Sequence, residues 1–320
     1  MRWRRRTFLL GAGGLALGAL GAGALWLGRS QGRTARWFRE MIADSRRPVA
    51  PAAVTPEPGK WAENAVTIAW LGHATTLIDF YGVRILTDPV LSERVGIDAG
   101  AATLGPKRHV APPLPFAGLP PIDVVLLSHA HMDHFDLPTL GRFRAPVFTV
   151  TARATADLLA GTALRGAVEL GWGESTTWRG PMGELRIQAF EVRHWGQRWP
   201  SRRPRGYNGY VLTREGRSLL FGGDTALTPL FSGLRRLGPF AAAIMPIGAY
   251  NPWIRNHCTP EEAVGMADMA GARLIVPIHH RTFKLSDEPM TEPLERCERM
   301  LRHEAGRLAL RQVGEHVALA

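Results

Sequence analysis

The chain has 320 residues, 45% of them hydrophobic and 21% charged, which excludes a disordered or fibrous protein and leaves room for one large or two ordinary domains. Its formal charge is +11, yet six of the 39 basic residues and no acid fall within the first 33 positions, leaving 33 bases against 28 acids, about +5. So mild a surplus gives no footing for nucleic-acid binding. Two cysteines, Cys258 and Cys297, are too few for a disulfide framework, and spacing alone does not decide whether they pair.

Residues 1–28 read as a targeting segment. Arg4-Arg5-Arg6-Thr7-Phe8-Leu9-Leu10 precedes a Gly/Ala/Leu run ending near Leu27, and Ala22-Gly23-Ala24 offers a small-residue cleavage site. The paired arginines resemble a twin-arginine export signal. The run is also long enough for an inner-membrane anchor facing the periplasm, but glycine and alanine contribute little transfer energy, which favours export to the periplasm. Residues 29–60 are polar and proline-rich, a linker with a short helix at Thr34 to Ala43. Residues 61–320 then form the catalytic domain.

Val66 to Trp70, Thr75 to Phe80 and Val83 to Thr87 read as strands, the last two joined by a tight turn at Tyr81-Gly82. His73, between the first two, suits a hydrogen-bonded loop histidine better than a ligand. Asp88, at a strand end before Pro89, either orients a ligand histidine or caps a turn. Residues 92–120 are a Gly/Pro-rich excursion of the kind that shapes a pocket, with Lys107, Arg108 and His109 either meeting an anion or forming a solvated rim.

The apolar run Ile122 to Leu127 is a buried strand, and Ser128-His129-Ala130-His131-Met132-Asp133-His134-Phe135-Asp136 follows it. Three imidazoles and a carboxylate packed this closely have no packing purpose; they are ligands for Zn²⁺ or a similar divalent ion. In an extended loop His129 and His131 share one side, while Asp133 and His134 turn to the other. Asp136 caps a helix with Pro138 in its first turn. Pro146 to Thr151 reads as a strand and Ala152 to Ala160 as a helix.

In the second half, Leu185 to Val192 alternates as a strand and delivers His194. Gly209 to Thr213 and Ser218 to Phe221 form a hairpin across Glu215-Gly216, leading to Gly222-Gly223-Asp224. Ala241 to Met245 is a strand. Thr259-Pro260-Glu261-Glu262 is a capping box opening a helix that ends near Gly271. Arg273 to Ile278 is a strand delivering His279. Thr291 is expected to cap a last helix reaching about Glu304, and Leu308 to Gln312 an edge strand.

His129-x-His-x-Asp-His resembles the signature of the metallo-β-lactamase superfamily. Trp70-Leu71-Gly72-His73, Thr87-Asp88-Pro89, Gly105-Pro106-Lys107-Arg108, Gly222-Gly223-Asp224-Thr225, Pro246 to Tyr250, His257 with Thr259 to Ala263, and Ile278-His279 with Thr282-Phe283 resemble its N-acyl-phosphatidylethanolamine-hydrolysing phospholipase D branch. The family has Trp-Gly where this chain has His280-Arg281, so one pocket wall is altered. The resemblance implies an α/β fold, a four-layer αββα sandwich with ligands along one edge. It also implies two zinc ions, one on His129, His131 and His194 and the other on Asp133, His134 and His279, with Asp224 bridging. Two cations ~3.5–4 Å apart acidify a bridging water and neutralise charge on a reacting oxygen, so no serine or cysteine nucleophile is required. A histidine at position 131, where the di-iron redox relatives carry glutamate, favours hydrolysis.

The implied catalytic residues are Asp133, Asp224 and His257; His257 either meets substrate or leaving group, or hydrogen-bonds the helix start. For substrate binding, His194-Trp195-Gly196-Gln197-Arg198-Trp199-Pro200-Ser201-Arg202 puts cations and indoles beside a ligand. Trp195, Arg198 and Arg202 are candidates there, together with Tyr250. A phosphodiester, either phospholipid-like or another small molecule, fits this set, and a membrane surface is a further candidate partner. A lactone or another phosphorylated metabolite is the alternative substrate. A binding protein without catalysis would have lost ligands, and all seven are present.

Overall fold

The computed structural model describes residues 42–62, 65–98 and 103–319. The export segment therefore lies outside the described residues, as does the helix expected at residues 34–43 except for its last two positions. The chain divides into Met1–Pro48 and Val49–Ala320, and every element named below belongs to the second unit.

Strands β1 (Val66–Gly72), β2 (Thr75–Phe80) and β3 (Val83–Thr87) form a meander. Tyr81 and Gly82 both have positive φ, the turn whose twist suits a two-residue hairpin, and the Gly82 N–H donates to Asp79 Oδ1 at 2.7 Å. A ribbon of β4 (Ile97–Asp98) and β5 (Thr103–Leu104) lies within the excursion that follows. Then come β6 (Val124–Leu126), helix α1 (Leu137–Leu140), β7 (Phe148–Ala152) and β8 (Val168–Leu170). The second half contains β9 (Ser175–Gly180), β10 (Gly183–Phe190), β11 (Gly209–Arg214), β12 (Arg217–Phe221) and β13 (Phe240–Pro246). Helix α2 (Pro260–Ala270), β14 (Ala272–Ile278), helix α3 (Glu292–Met300) and β15 (His316–Leu319) complete it.

Two mixed sheets result, ordered β15-β1-β2-β3-β6-β7-β8 and β14-β13-β12-β11-β10-β9. Central strands are apolar on both faces because both faces are covered. Ile68, Ile78, Val124 and Leu126 of the first sheet join Leu219, Phe221, Ile244 and Val276 of the second in one core between the sheets. Their alternates Ala69, Leu77, Val125 and Leu127 pack outward with Phe135 and Leu140 near α1. Leu220, Ala243, Met245 and Ile275 pack outward among Val264, Ala267, Leu294 and Cys297 of α2 and α3. This is the αββα sandwich. Cys258 and Cys297 are both free and buried. Among the described residues, no helix is long and apolar enough to cross a membrane.

Several local expectations need correction. The helix expected at Ala152 to Ala160 shrinks to a 3-10 turn, Ala156–Leu159. Side chains take the backbone groups that a helix would use: Thr155 Oγ1 donates to the Ala152 carbonyl, and Glu169 Oε1 accepts from the N–H groups of Thr155 and Ala156. Leu308 to Gln312 is not an edge strand. Glu315 Oε2 accepts from the N–H groups of Arg311 and Gln312 and bends the chain there, so β15 supplies the edge instead, antiparallel to β1. Thr291 makes no side-chain cap, and α3 ends at Met300. The box at α2 forms as expected: Glu262 N–H donates to Thr259 Oγ1, Thr259 N–H donates to Glu262 Oε2, and Gly271 closes the helix at φ +79°.

Candidate metal centre

Loops at the ends of four strands converge on one edge of the sandwich. After β6 the chain curls, because the His131 carbonyl accepts N–H bonds from His134 (3.1 Å) and Phe135 (2.7 Å). This turn sends Asp133 and His134 to one side and leaves His129 and His131 on the other. His194 comes from the loop after β10, Asp224 from the loop after β12, and His279 from the end of β14. Gly223 permits that approach: at φ +57°, a Cβ there would lie 2.7 Å from the Asn208 carbonyl oxygen and 3.0 Å from Ser128 Cβ.

The result is a run of donor atoms in two adjoining groups. His129 Nε2 lies 2.8 Å from His131 Nδ1, which is 3.2 Å from His194 Nε2. Asp133 Oδ2 lies 3.5 Å from His134 Nε2 and 3.4 Å from His279 Nε2. Between the groups, Asp224 Oδ2 is 3.1 Å from His134 Nε2, 3.3 Å from His279 Nε2, 3.8 Å from His194 Nε2 and 3.9 Å from His129 Nε2. In each of the sets His129–His131–His194, His129–His134–Asp224 and His73–Asp133–His134–His279, the donor atoms lie within 4.8 Å of one another. All seven residues read from the sequence as ligands are thus together.

Outer contacts fix the imidazoles. Buried Asp88 accepts from His134 Nδ1 (2.7 Å), the Ser128 N–H (2.7 Å) and Ser128 Oγ (2.5 Å), and Ser128 Oγ also lies 2.9 Å from His129 Nδ1. One carboxylate therefore steadies a histidine in each group. His194 Nδ1 donates to the Asn256 carbonyl at 2.8 Å. His73 donates through Nε2 to Asp133 Oδ2 at 2.9 Å and orients that carboxylate.

Protonation differs between the two groups: although burial opposes it, Asp224 and Asp133 push His134 well up and His279 up to about 9, so these two rings must give up a proton to take a cation. Burial holds His129 well below its ordinary value and pushes His131 down to about 3, with neighbouring imidazoles adding to both, so these rings are neutral. Burial, with His279 beside it, does the same to His73. Burial works against ionisation of Asp133 and Asp224, yet the surrounding histidines, His134 foremost, hold both well below the carboxylate range. His131 Nε2, Asp224 Oδ1 and His279 Nε2 are buried without hydrogen-bond partners among the described residues. Orphaned donor atoms in a buried cleft of imidazoles and carboxylates are costly to a fold unless a cation meets them. A divalent metal fits these residues.

A cavity of about 350 Å³ opens over the centre, lined by His131, Met132, Asp133, Trp195, Gln197, Arg198, Trp199, Asp224, Ala249, Trp253, Asn256, His257 and Leu285. His257 faces it, with Nδ1 unpartnered and 3.7 Å from Asp224 Oδ2, while the start of α2 is capped without its help. Trp195 lies across His131 at 4.3 Å between ring centroids. Arg198 reaches the wall, but its Nη1 donates to the carbonyls of Ala130 (2.8 Å) and Phe135 (2.9 Å), so its guanidinium braces the metal loop. Two sequence candidates lie elsewhere. Arg202 is exposed and outside the lining. Tyr250 is buried with its hydroxyl donating to Glu292 Oε1 at 2.8 Å beneath the Arg296 guanidinium, so it does not line the cavity. Met132, Trp253 and Leu285 were missed; only the placing of Trp253 just after Pro246 to Tyr250 hinted at a role.

Residues 83–280 match the model of the beta-lactamase superfamily domain. The chain belongs to the metallo-β-lactamase superfamily. An uncharacterized protein of Mycobacterium tuberculosis is 35% identical over 84% of this chain and 73% of its own length. N-acyl-phosphatidylethanolamine-hydrolyzing phospholipase D 1 of Caenorhabditis elegans is 32% identical over 75% of this chain and 71% of its own. Among solved structures, the isothiocyanate hydrolase from Delia radicum gut bacteria shares the fold at a TM-score of 0.62 and 19% identity, covering 79% of this chain and 99% of its own. The protein is a metal-dependent hydrolase of this superfamily.

Proposed function

We propose that the chain is a binuclear zinc-dependent phosphodiesterase acting on a phospholipid-like substrate of the N-acyl-phosphatidylethanolamine type. The observation that carries the reading is the position of Asp224, within 4 Å of histidines from both ligand groups and on the cavity wall. Likeness to the worm phospholipase D supports the lipid class. His129, His131 and His194 would hold one ion and Asp133, His134 and His279 the other, with Asp224 shared. When bound, such ions polarise a phosphoryl oxygen and make a coordinated water a good nucleophile near neutral pH.

The chain's own residues do the rest. Asp88 and Ser128 keep the His134 and His129 rings from turning, and His73 holds the Asp133 carboxylate. Burial keeps His257 neutral, with a pKa near 3, so its unpartnered Nδ1 can accept or donate a hydrogen bond to substrate or leaving group at the cavity wall. The indoles of Trp195, Trp199 and Trp253 offer apolar wall to acyl or glyceryl carbons.

The test is metal analysis of the purified protein, followed by hydrolysis of bis-p-nitrophenyl phosphate, phospholipid vesicles and a lactone. About two zinc ions per chain and turnover of the phosphodiesters are expected. If the lactone alone turns over, the phosphodiesterase reading falls and a lactonase replaces it. We further propose, from Arg5-Arg6-Thr7-Phe8-Leu9, that the N-terminal segment directs export of the folded protein. Replacing both arginines by lysine should leave precursor in the cytoplasm; unchanged export contradicts the route.

A further inference from the structure

The cavity mouth carries a feature that catalysis at its floor does not need. Trp195, Trp199 and Trp253 line the cavity yet are 46%, 64% and 48% exposed, and Ile254 beside Trp253 is 45% exposed. Large apolar side chains scattered singly over a surface need no explanation, but three exposed indoles around one opening, with Ile254 next in the chain, do. The tryptophans are also held in place. Trp195 packs edge-on against His131, and Trp253 Nε1 donates to the Leu285 carbonyl at 3.3 Å. They come from two segments, 195–199 and 253–254, which flank the opening.

Positive charge prevails at the rim, although an exposed acid, Asp287, lies two residues from Leu285. Arg203 and Arg205 turn to Asp157, but Arg202, Arg255 and Lys284 are exposed and have no ion-pair partner among the described residues. Each lies within three residues of a member of the cavity wall: Trp199, Trp253 or Asn256, and Leu285. Indoles with unpaired cations around them make the composition that settles at a bilayer interface, rings at headgroup depth and cations against anionic lipid phosphates.

We propose that this rim is a docking surface for an anionic phospholipid bilayer, which presents lipid phosphodiesters directly to the cavity. The inference rests on the phospholipid reading of the site for its purpose, but the binding itself is measured separately. Full-length protein is sedimented with phosphatidylcholine vesicles containing or lacking phosphatidylglycerol, at low and high salt. Wild-type protein should bind both, more strongly with phosphatidylglycerol, and salt should remove that difference. Trp199→Ala with Trp253→Ala should weaken binding to both vesicles about tenfold or more. Arg202→Gln and Arg255→Gln should each reduce only the phosphatidylglycerol-dependent part, by roughly fivefold. Metal content and melting temperature check that each variant is folded.

Equal binding by wild type and the tryptophan variant would assign the affinity elsewhere in the chain and overturn the proposal. So would a solution dimer that those substitutions dissociate, because the rim would then cover a second copy. Protein that hydrolyses bis-p-nitrophenyl phosphate but ignores both vesicles overturns the docking inference alone; protein that binds vesicles but hydrolyses no phosphodiester overturns the phosphodiesterase reading alone.

Discussion

The floor and the rim of the cavity are built on opposite principles. At the floor, His129, His134, Asp224 and His279 are each at most 3% exposed, and Asp88, Ser128 and His73 add contacts that leave the ligand side chains little freedom. At the rim, Trp199 and Ile254 face solvent, and among the described residues no hydrogen bond or ion pair restrains Arg202. Chemistry on a bound metal demands fixed donors, since small displacements of a ligand are felt directly in affinity and rate. Contact with a variable or fluid partner demands only area and sign of charge. A substitution should therefore act all-or-none at the floor and gradually at the rim.

The sharpest test of that contrast is Asp224→Ala. Losing the carboxylate common to both groups should lower turnover by on the order of 10³ or more and reduce bound metal, as read by elemental analysis and hydrolysis. Near-wild-type activity would remove the basis for a shared site. Next in size is Asp88→Ala, which touches no cavity atom but frees the His134 and His129 rings; metal affinity should fall roughly 10–100-fold in a chelator competition. If affinity is unchanged, the network beneath the centre is packing and nothing more.

Arg198 sits where the two regions meet. Arg198→Met removes two charged hydrogen bonds to the metal loop, both from Nη1, and should cost about 1.5–3 kcal/mol in thermal unfolding, with Arg198→Lys recovering only part, since the lysine side chain is one bond shorter. A pure loss of substrate affinity with unchanged melting would return Arg198 to the substrate. The smallest effect belongs to Ile254→Ser, an exposed change expected within about 0.5 kcal/mol in unfolding and without effect on metal content.

Legibility in the sequence follows the same division. The metal loop was readable because ligand chemistry has a short-range signature; for His194, Asp224 and His279 a place at a strand end was suggestive, and the resemblance to the superfamily made them ligands. The two hairpins and the α2 capping box were readable from turn and cap chemistry. Tyr250 was misread because nothing local announces Glu292, 42 positions on, as the partner of its hydroxyl. Arg198 next to a ligand looked like an anion binder, and only the fold shows that two carbonyls claim it. The helix expected at Ala152 was lost to Glu169, again a partner supplied by tertiary structure. Trp253 lay hidden because a loop indole has no periodicity to betray which cavity it will face.

The pairing of β15 with β1 carries a consequence for how the protein is made. Val66 meets Leu319, so the first and last described strands of the sandwich are neighbours across almost the whole catalytic unit. While residues 316–319 are still being synthesised, the outer edge of β1 stays open, its backbone N–H and C=O groups unpaired and its side chains apolar. A ribosome-bound or C-terminally clipped chain thus offers a strand edge to other chains. Residues 316–319 cover that edge, so a chain cut before them is expected to aggregate more readily than the intact one.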